Sequence, residues 1–118
     1  MAYEVEVWEA AKADLVALGD REAQLAALRV ALALRDDPLL GAPLRDRAGV
    51  GNLSGCRRVS FDRPDWTGKP RYRLVYRDDP ADGSIAVVQV IAVGLREQLA
   101  AYWAAAARLR AELRRRLT

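Results

Sequence analysis

The sequence predicts an α+β domain with one antiparallel sheet, helices packed on it, and the element order β-α-α-β-β-β-α. The composition is globular, because 52% of the 118 residues are hydrophobic and 30% are charged. Apolar residues alternate in some segments, as in strands, and recur at helical spacing in others. A chain of this length most simply forms one domain, which we assign to residues 1–118.

The first third of the chain predicts a strand and a helical hairpin. Residues 3–7, YEVEV, alternate as a short strand does. Helix-forming residues follow over 8–18, and Gly19 is a suitable stop. Asp20 is placed to cap a second helix over 21–37. The two helices are therefore expected to form a hairpin with a very short link.

The rest of the chain predicts a loop, three strands and a final helix. Gly, Pro and Asn punctuate residues 38–55, which indicates a loop. Strands are predicted at residues 56–62, 71–79 and 84–94. The third is apolar at nearly every position, so we expect it to be buried on both faces inside the sheet. A helix is predicted over 96–118.

Two of the predicted helices carry an apolar stripe at helical spacing, which we expect to make their apolar contacts. The stripe of helix 21–37 consists of Leu25, Leu28 and Leu32. The stripe of helix 96–118 consists of Leu99, Trp103, Ala106, Leu109 or Arg110, Leu113 and Leu117. The arginines at the end of this helix suit the negative pole of its dipole.

The strand RYRLVYRDD separates aromatic from cationic side chains. Its core face carries Tyr72, Leu74 and Tyr76. Its other face carries Arg71, Arg73 and Arg77 beside a single Val75. These arginines are either solvated surface or a site for an anionic ligand, because guanidinium groups match phosphate well.

The absence of histidine excludes several kinds of active site. No Ser–His–Asp triad, Cys–His pair or paired-histidine ribonuclease mechanism is possible without imidazole. The single cysteine, Cys56, excludes an internal disulfide and a cysteine-built metal site, and we expect it to fill space in the core. The sequence calls for no metal and no cofactor.

Charge and hydropathy indicate a cytoplasmic protein. No apolar run approaches the roughly 20 residues of a membrane span. The opening MAYEVEVWEA has acidic residues where a signal peptide has positive charge. The net charge is only +3, so any nucleic-acid function must depend on where the arginines lie.

Four segments in order, LSGCRRVSF, RYRLVYR, VVQVIAVGLRE and AYWAAAARL, resemble the RelE/ParE toxin superfamily, and RelE-type mRNA interferases in particular. The opening nineteen residues are similar to the start of the same toxins. The resemblance implies a single RelE-like domain that acts as the toxin of a type II toxin–antitoxin system. It implies a metal-independent endoribonuclease that cleaves mRNA on the ribosome. It also implies a cognate antitoxin that holds the toxin inactive in a hetero-oligomer.

The resemblance also implies site residues. The family's catalytic positions fall on Arg58, Arg73, Arg96 and Tyr102. Ser60 departs from the pattern, because the family has there a basic residue that is implicated in acid–base chemistry. Arg96 and Tyr102 would lie about 120° apart on one continuous helix, so they can converge only if Arg96 precedes the helix.

Further residues are candidates for RNA contact. We assign RNA binding to Arg57, Arg71, Arg77 and Lys69. Paired strands would bring the arginines of neighbouring strands, Arg71 and Arg73 included, into one cluster. The insertion RPDWTGKP predicts a protruding loop whose Arg63, Trp66 or Lys69 could replace the missing basic residue. Asp62 and Glu97 are the acidic residues nearest to the site in sequence and could accept a proton.

Two alternatives stay open at this point. A ParE-like toxin would bind and poison DNA gyrase, and a weakened RelE-fold protein would act only through protein binding. Ser60 favours the second of these. The combination of Arg73, Arg96 and Tyr102 favours the RelE-type nuclease, because ParE members generally lack the full set. Every alternative implies an antitoxin, and the stripe of residues 99–117 is the surface we expect it to cover.

Overall fold

The computed structural model describes residues 3–44, 53–79 and 87–117, which form a five-stranded sheet with helices on both faces. The elements are β1 (Glu4–Val7), α1 (Glu9–Ala17), α2 (Arg21–Ala33), β2 (Ala42–Pro43), β3 (Cys56–Phe61), β4 (Tyr72–Asp79), β5 (Val87–Leu95) and α3 (Ala100–Leu117). A 3₁₀ turn over Glu97–Leu99 joins β5 to α3. The DDPADGS turn predicted after the second long strand lies largely outside the described residues.

The strands are arranged in the order β1-β5-β4-β3-β2. The α+β class and the order of the main elements are confirmed, with the short β2 added within the predicted loop. The sheet is mixed and not wholly antiparallel, because β1 lies parallel to β5. Parallel pairing needs a long connection, and most of the chain lies between these strands. β5 has an interior position and is buried on both faces, as its composition predicted.

The predicted signals at the end of α1 and the start of α2 are confirmed. Gly19 follows α1 with φ +66°, a left-handed conformation that glycine adopts readily. The Asp20 carboxylate accepts hydrogen bonds from two backbone N–H groups in the first turn of α2, at 3.0 and 3.4 Å. α2 ends at Ala33, earlier than predicted. The Asp37 carboxylate instead accepts a hydrogen bond from the backbone N–H of Leu39 at 3.2 Å, which supports a turn.

The sheet separates two cores. One contains Tyr72, Leu74 and Tyr76 of β4, against which α1 and α2 pack through Ala11, Ala23, Ala26 and Ala27. The other lies beneath α3 and contains Cys56, Val75, Ile91, Ala92, Ala101, Tyr102, Ala105 and Ala106. The prediction that Tyr72 and Tyr76 belong to the core is therefore confirmed.

The predicted apolar stripe of α2 does not face the sheet, and the predicted stripe of α3 is partly buried and partly exposed. Leu25, Leu28 and Leu32 of α2 are exposed, Leu32 by 58%. Alanines occupy the inward face of α2 and allow its backbone to approach the sheet closely. On α3, Ala106 is buried and Leu99 and Leu109 are half-buried, whereas Trp103, Leu113 and Leu117 are exposed.

Ion pairs attach α3 to the rest of the molecule. The Arg108 guanidinium binds the Asp14 carboxylate of α1, with N–O distances of 2.6 and 2.9 Å. The same carboxylate accepts a hydrogen bond from the backbone N–H of Val93 at 3.0 Å, and Arg108 donates to the carbonyl oxygen of Ile91 at 2.9 Å. These contacts occupy backbone groups of β5 beyond the end of β1. No local pattern predicts these contacts, because Asp14 and Arg108 are 94 residues apart.

The buried hydroxyl of Tyr76 ties the loop before β2 to the sheet. It donates a hydrogen bond to the carbonyl oxygen of Pro38 at 2.6 Å and accepts one from the backbone N–H of Gly41 at 2.9 Å. Gly41 fits because it has no Cβ, which would lie 2.7 Å from the carbonyl oxygen of Arg58.

Tyr76→Phe is expected to lower the free energy of unfolding by about 1–3 kcal/mol, because it leaves both buried backbone groups without their partner. Urea denaturation measures this change. Tyr3→Phe is the matched control, since the Tyr3 hydroxyl has no partner among the described residues. Equal stability of the two variants would contradict the prediction.

Candidate phosphate-binding site

On the face of the sheet that α3 covers, three residues of adjacent strands lie next to one another. Ser60 of β3 pairs with Arg73 of β4, and Arg73 pairs with Gly94 of β5. Neighbouring strands lie about 4.8 Å apart, so this row is short. Arg58 lies two residues before Ser60 and therefore on the same face. The sheet thus brings Arg58 and Arg73 together on adjacent strands, as the sequence predicted.

Arg73 is a buried cation with an unused donor. The residue is 8% exposed, and its Nη1 donates to the carbonyl oxygens of Pro70 at 3.2 Å and Tyr72 at 2.9 Å. Its Nε is buried and has no hydrogen-bond partner among the described residues. Within those residues no carboxylate forms an ion pair with it. A buried charge without a counter-charge costs free energy, which a bound anion would offset.

Arg96 lies at the end of β5, ahead of α3. Its backbone N–H donates to the carbonyl oxygen of Arg71 at 2.7 Å, and its side chain is exposed. The helix predicted from residue 96 begins instead at Ala100, because Leu99 has φ +57° and interrupts it. The condition for Arg96 and Tyr102 to converge, that Arg96 precedes the helix, is therefore met.

Tyr102 is buried in the core beneath α3 and is 3% exposed. It belongs to the same cluster as Val75 and Cys56, so its ring offers no open face to a nucleotide base in this conformation. Burial raises the pKa of the Cys56 thiol to about 11, so the thiol stays protonated near neutral pH. Cys56 is thus the space-filling core residue that was predicted.

Arg58 adds a second positive charge beside Arg73, whereas Ser60 adds none. The Arg58 guanidinium donates to the Ser60 hydroxyl oxygen at 3.4 Å. Ser60 has no charge to contribute, so the position where the family has a second basic residue is neutral. Among the described arginines that β3 and β4 place on this face, Arg58 and Arg73 form no ion pair, and Arg96 follows the end of β5.

Three of the four residues predicted to bind RNA have partners within the protein. Arg57 lies on the opposite face of β3 from Arg58, and donates to the carbonyl oxygen of Gly41 at 2.8 Å. Arg77 donates to the side chains of Gln89 at 2.7 Å and Glu112 at 2.8 Å. Lys69 is exposed and forms no ion pair within the described part of the chain.

The expected cluster of Arg71 with Arg73 does not form, because Arg71 forms an ion pair with the carboxylate of Asp62. Two side-chain nitrogens of Arg71 donate to Asp62, at 3.0 and 2.9 Å. The insertion also contacts the rest of the protein and does not extend freely into solvent. Arg63 contacts the carboxylates of Asp65 and Asp20, at 3.1 and 3.5 Å. Arg63, Trp66 and Lys69 were the proposed substitutes for the basic residue missing at Ser60. Among the described residues, Lys69 is the one of these three that is charged and forms no ion pair.

Asp62 was predicted only as a possible proton acceptor, and its ion pair with Arg71 was not foreseen. Hydrogen bonds from the Arg71 side chain lower its pKa to about 2, outweighing the opposite effect of burial. A carboxylate with so low a pKa is a poor proton acceptor, so Asp62 is not a suitable general base. Asp62 and Arg71 flank the insertion in the sequence. Their opposite charges at the two ends of one loop could have predicted the ion pair.

The pKa of Asp62 predicts a loss of stability in acid. The folded-state pKa of about 2 lies below the ordinary aspartate value of 3.8, so the stability that Asp62 contributes is fully present above pH 3.8. It declines as the pH falls through this range toward 2. The urea midpoint of the wild-type protein should therefore fall more steeply between pH 4 and pH 2 than that of Asp62→Asn. Parallel pH profiles for the two proteins would contradict this.

Within the described residues there is no group of three or more metal-ligating His, Cys, Asp or Glu side chains. None of the described helices is long and apolar enough to cross a membrane.

Comparison with known proteins identifies the family. The family model for the ParE toxin of type II toxin-antitoxin system, parDE, matches residues 5–100. The fold is similar to the toxin–antitoxin complex RelBE2 from Mycobacterium tuberculosis, with 26% identity, coverage of 81% of this chain and 100% of that chain, and a TM-score of 0.58. It is also similar to a free E. coli toxin RelE variant with two arginines replaced by alanine, with 25% identity, 92% and 99% coverage, and a TM-score of 0.62. No curated protein matches the sequence. The chain therefore belongs to the ParE toxin family of type II toxin–antitoxin systems, within the RelE/ParE superfamily.

Proposed function

We propose that this toxin is a ribosome-dependent endoribonuclease that cleaves mRNA in the cytoplasm. Arg73 supports the proposal most directly. It is buried and permanently charged, its Nε has no partner among the described residues, and Arg58 lies on the same face of the adjacent strand. A phosphodiester is an anion that guanidinium groups bind well, and it would supply the missing counter-charge.

The reaction that fits these residues is attack by a ribose 2′-OH on the adjacent phosphorus. A bond forms between O2′ and phosphorus, the bond to O5′ breaks, and the products are a 2′,3′-cyclic phosphate and a free 5′-OH. The 2′ proton leaves, and a proton is delivered to O5′. Negative charge accumulates on the phosphate oxygens in the transition state, where Arg73 and Arg96 would stabilise it and Arg58 would bind the phosphate.

Proton transfer is the demanding step for this protein. Arginine stays protonated, the chain has no histidine, and Asp62 is bound by Arg71. Glu97 remains as the acidic residue next to Arg96 along the chain. We therefore propose that the ribosome positions the 2′-OH in line with the phosphate, and that the toxin supplies charge and orientation. Activity on free RNA would then be low.

Tyr102 would have an indirect role in the conformation described. Its ring lies beneath α3, so it could orient the scissile nucleotide only after a shift of that helix. Without such a shift it would support Val75, which lies two residues beyond Arg73 on the same face of β4. This assignment differs from that of Arg96, which is already exposed in the conformation described.

Controlled expression in bacteria tests the proposal. Wild-type toxin should arrest growth and produce new mRNA 5′ ends with free hydroxyl groups, phased to codons. A purified translation system should show the same cuts on ribosome-bound message and few on free message. Arrest without new mRNA ends would overturn the proposal.

Gyrase poisoning is the second candidate, because the matching family model is that of ParE toxins. Ser60, at a position where RelE-type toxins have a basic residue, is consistent with it. The same expression experiment separates the candidates. DNA damage that disappears in a strain with toxin-resistant gyrase, with intact mRNA, would establish the gyrase function. Absence of any arrest would indicate a protein that acts through binding alone.

We further propose that the antitoxin covers a groove between β1 and α2. The groove has a volume of about 550 Å³ and is lined by Tyr3, Glu4, Val5, Val7, Leu28, Ala31, Leu32 and Arg35. β1 is an edge strand, so an extended segment of a partner could pair with it and place apolar side chains against the leucines. The stripe expected to be covered on α3 also has exposed members, Trp103, Leu113 and Leu117, and stays a prediction.

A further inference from the structure

The insertion between β3 and β4 is closed by one carboxylate. Asp62 accepts three hydrogen bonds from Arg71, from the backbone N–H at 2.8 Å, Nε at 3.0 Å and Nη2 at 2.9 Å. It also accepts one from the backbone N–H of Arg63 at 2.8 Å. The Asp62 side chain is 5% exposed, so these contacts are sheltered from water. The loop therefore has both of its ends fixed to a single side chain.

Trp66 holds the same arginine from the tip of the loop. The guanidinium carbon of Arg71 lies 3.6 Å from the centre of the Trp66 ring and 5.2 Å from that of Tyr72. Trp66 is itself oriented by a hydrogen bond from its Nε1 to the carbonyl oxygen of Lys69 at 3.1 Å. Stacking on an aromatic face suits a planar guanidinium, so Arg71 is held both through its donors and through its plane. We refer to Asp62, Trp66 and Arg71 together as the brace.

The backbone at the brace contacts two of the three arginines of the candidate site, Arg73 and Arg96. The carbonyl oxygen of Arg71 accepts the hydrogen bond from the backbone N–H of Arg96. The carbonyl oxygens of Pro70 and Tyr72, on either side, accept hydrogen bonds from the Arg73 guanidinium. The carbonyl groups of three successive residues thus hold the Arg73 guanidinium and the backbone of Arg96.

We propose that the brace residues Asp62, Trp66 and Arg71 are positioning residues for the phosphate-binding arginines Arg73 and Arg96. The inference rests on the proposed ribonuclease function and gives the insertion a role in it. The loop would not replace the basic residue missing at Ser60 with another charge. It would hold the remaining cations in one geometry, and a displacement near 1 Å at a reacting group can cost about 10²-fold in rate.

Asp62→Asn tests the brace with two independent readouts. Without substrate, amide hydrogen exchange at Arg96 should accelerate at least about tenfold, because its acceptor at Arg71 is no longer fixed. The amide of Gly41, bonded to Tyr76 on the other side of the sheet, should exchange at the wild-type rate and so report that the fold is intact. In the translation system, kcat should fall by about 10–10²-fold while KM for ribosome-bound message changes little.

Trp66 provides a second pair of variants that should leave the fold intact, because the residue is 42% exposed. Trp66→Ala should show the same two effects as Asp62→Asn, and Trp66→Phe, which keeps an aromatic face, should recover most of both. Wild-type exchange at Arg96 in both Asp62→Asn and Trp66→Ala would overturn the proposal, as would an unchanged kcat. If the wild-type toxin cuts no message, the ribonuclease function fails. Accelerated exchange then still supports the brace, and unaccelerated exchange overturns it.

Discussion

Arg73→Met should lower the rate of mRNA cleavage on the ribosome by about 10²–10³-fold, the effect of removing one donor aimed at a developing negative charge. Methionine keeps the unbranched, apolar part of the side chain and removes the guanidinium. The free energy of unfolding should not fall by more than about 1 kcal/mol, because the variant also removes a buried charge that has no counter-charge among the described residues. Cleavage kinetics and urea denaturation of the same preparations measure the two quantities.

Arg73→Lys and Arg29→Ala are the controls for this experiment. Lysine retains the charge but not the planar fork of donors, so it should recover only part of the rate. Arg29 is exposed on α2, across the sheet from the site, and its loss should leave cleavage unchanged. Full activity of Arg73→Met in a folded protein would exclude Arg73 from the site. Unfolding of that variant would instead assign the guanidinium a structural role through the carbonyl groups of Pro70 and Tyr72.

The second large effect concerns the antitoxin. Leu28→Glu combined with Leu32→Glu should weaken binding of the cognate antitoxin by about 10²–10⁴-fold, because burial of one leucine side chain is worth about 1.5–3 kcal/mol. Both leucines are exposed in the free toxin, so the variant should fold normally. Toxicity should persist, and the antitoxin should no longer neutralise it. Calorimetric titration and rescue of growth by antitoxin co-expression measure the two consequences.

Two further variants separate the groove from other exposed apolar surface. Val16→Glu on α1 changes an exposed apolar side chain that does not line the groove, and it should leave affinity unchanged. Leu113→Glu with Leu117→Glu tests the surface on α3 that the sequence analysis favoured. A larger loss of affinity in this pair than in the Leu28 and Leu32 pair would place the antitoxin on α3 and contradict the groove.

The sequence predicted elements well because local signals decide them. Gly19 and Asp20 act within one turn of their own position, and alternation in residues 71–79 requires only a strand. The inward face of α2 was predicted wrongly because leucine has more apolar surface to bury than alanine has. The close approach of α2 to the sheet leaves room only for alanine on its inward side, so Leu28 and Leu32 are exposed on the other side. Only the shape of the opposing surface, which is not local, determines that choice.

The arginines show the same limit at the site. Arg73 and Arg77 had equal standing in the strand pattern, but Arg77 is paired with Glu112, 35 residues further along the chain. No spacing rule predicts such a pair, because it depends on where α3 is placed over the sheet. The pair of Arg71 with Asp62 was within reach of sequence reasoning, since only a loop separates them.

The Asp14–Arg108 ion pair has a consequence for the behaviour of the sheet in solution. β1 ends at Val7, and beyond that point the outward backbone groups of β5 would be open to another strand. The carboxylate of Asp14 holds the N–H of Val93, and Arg108 holds the carbonyl oxygen of Ile91. Two side chains from different helices thus imitate the hydrogen bonds of an absent strand. They protect β5, a strand that is apolar at nearly every position, from pairing edge to edge with another copy, the first step of β-aggregation.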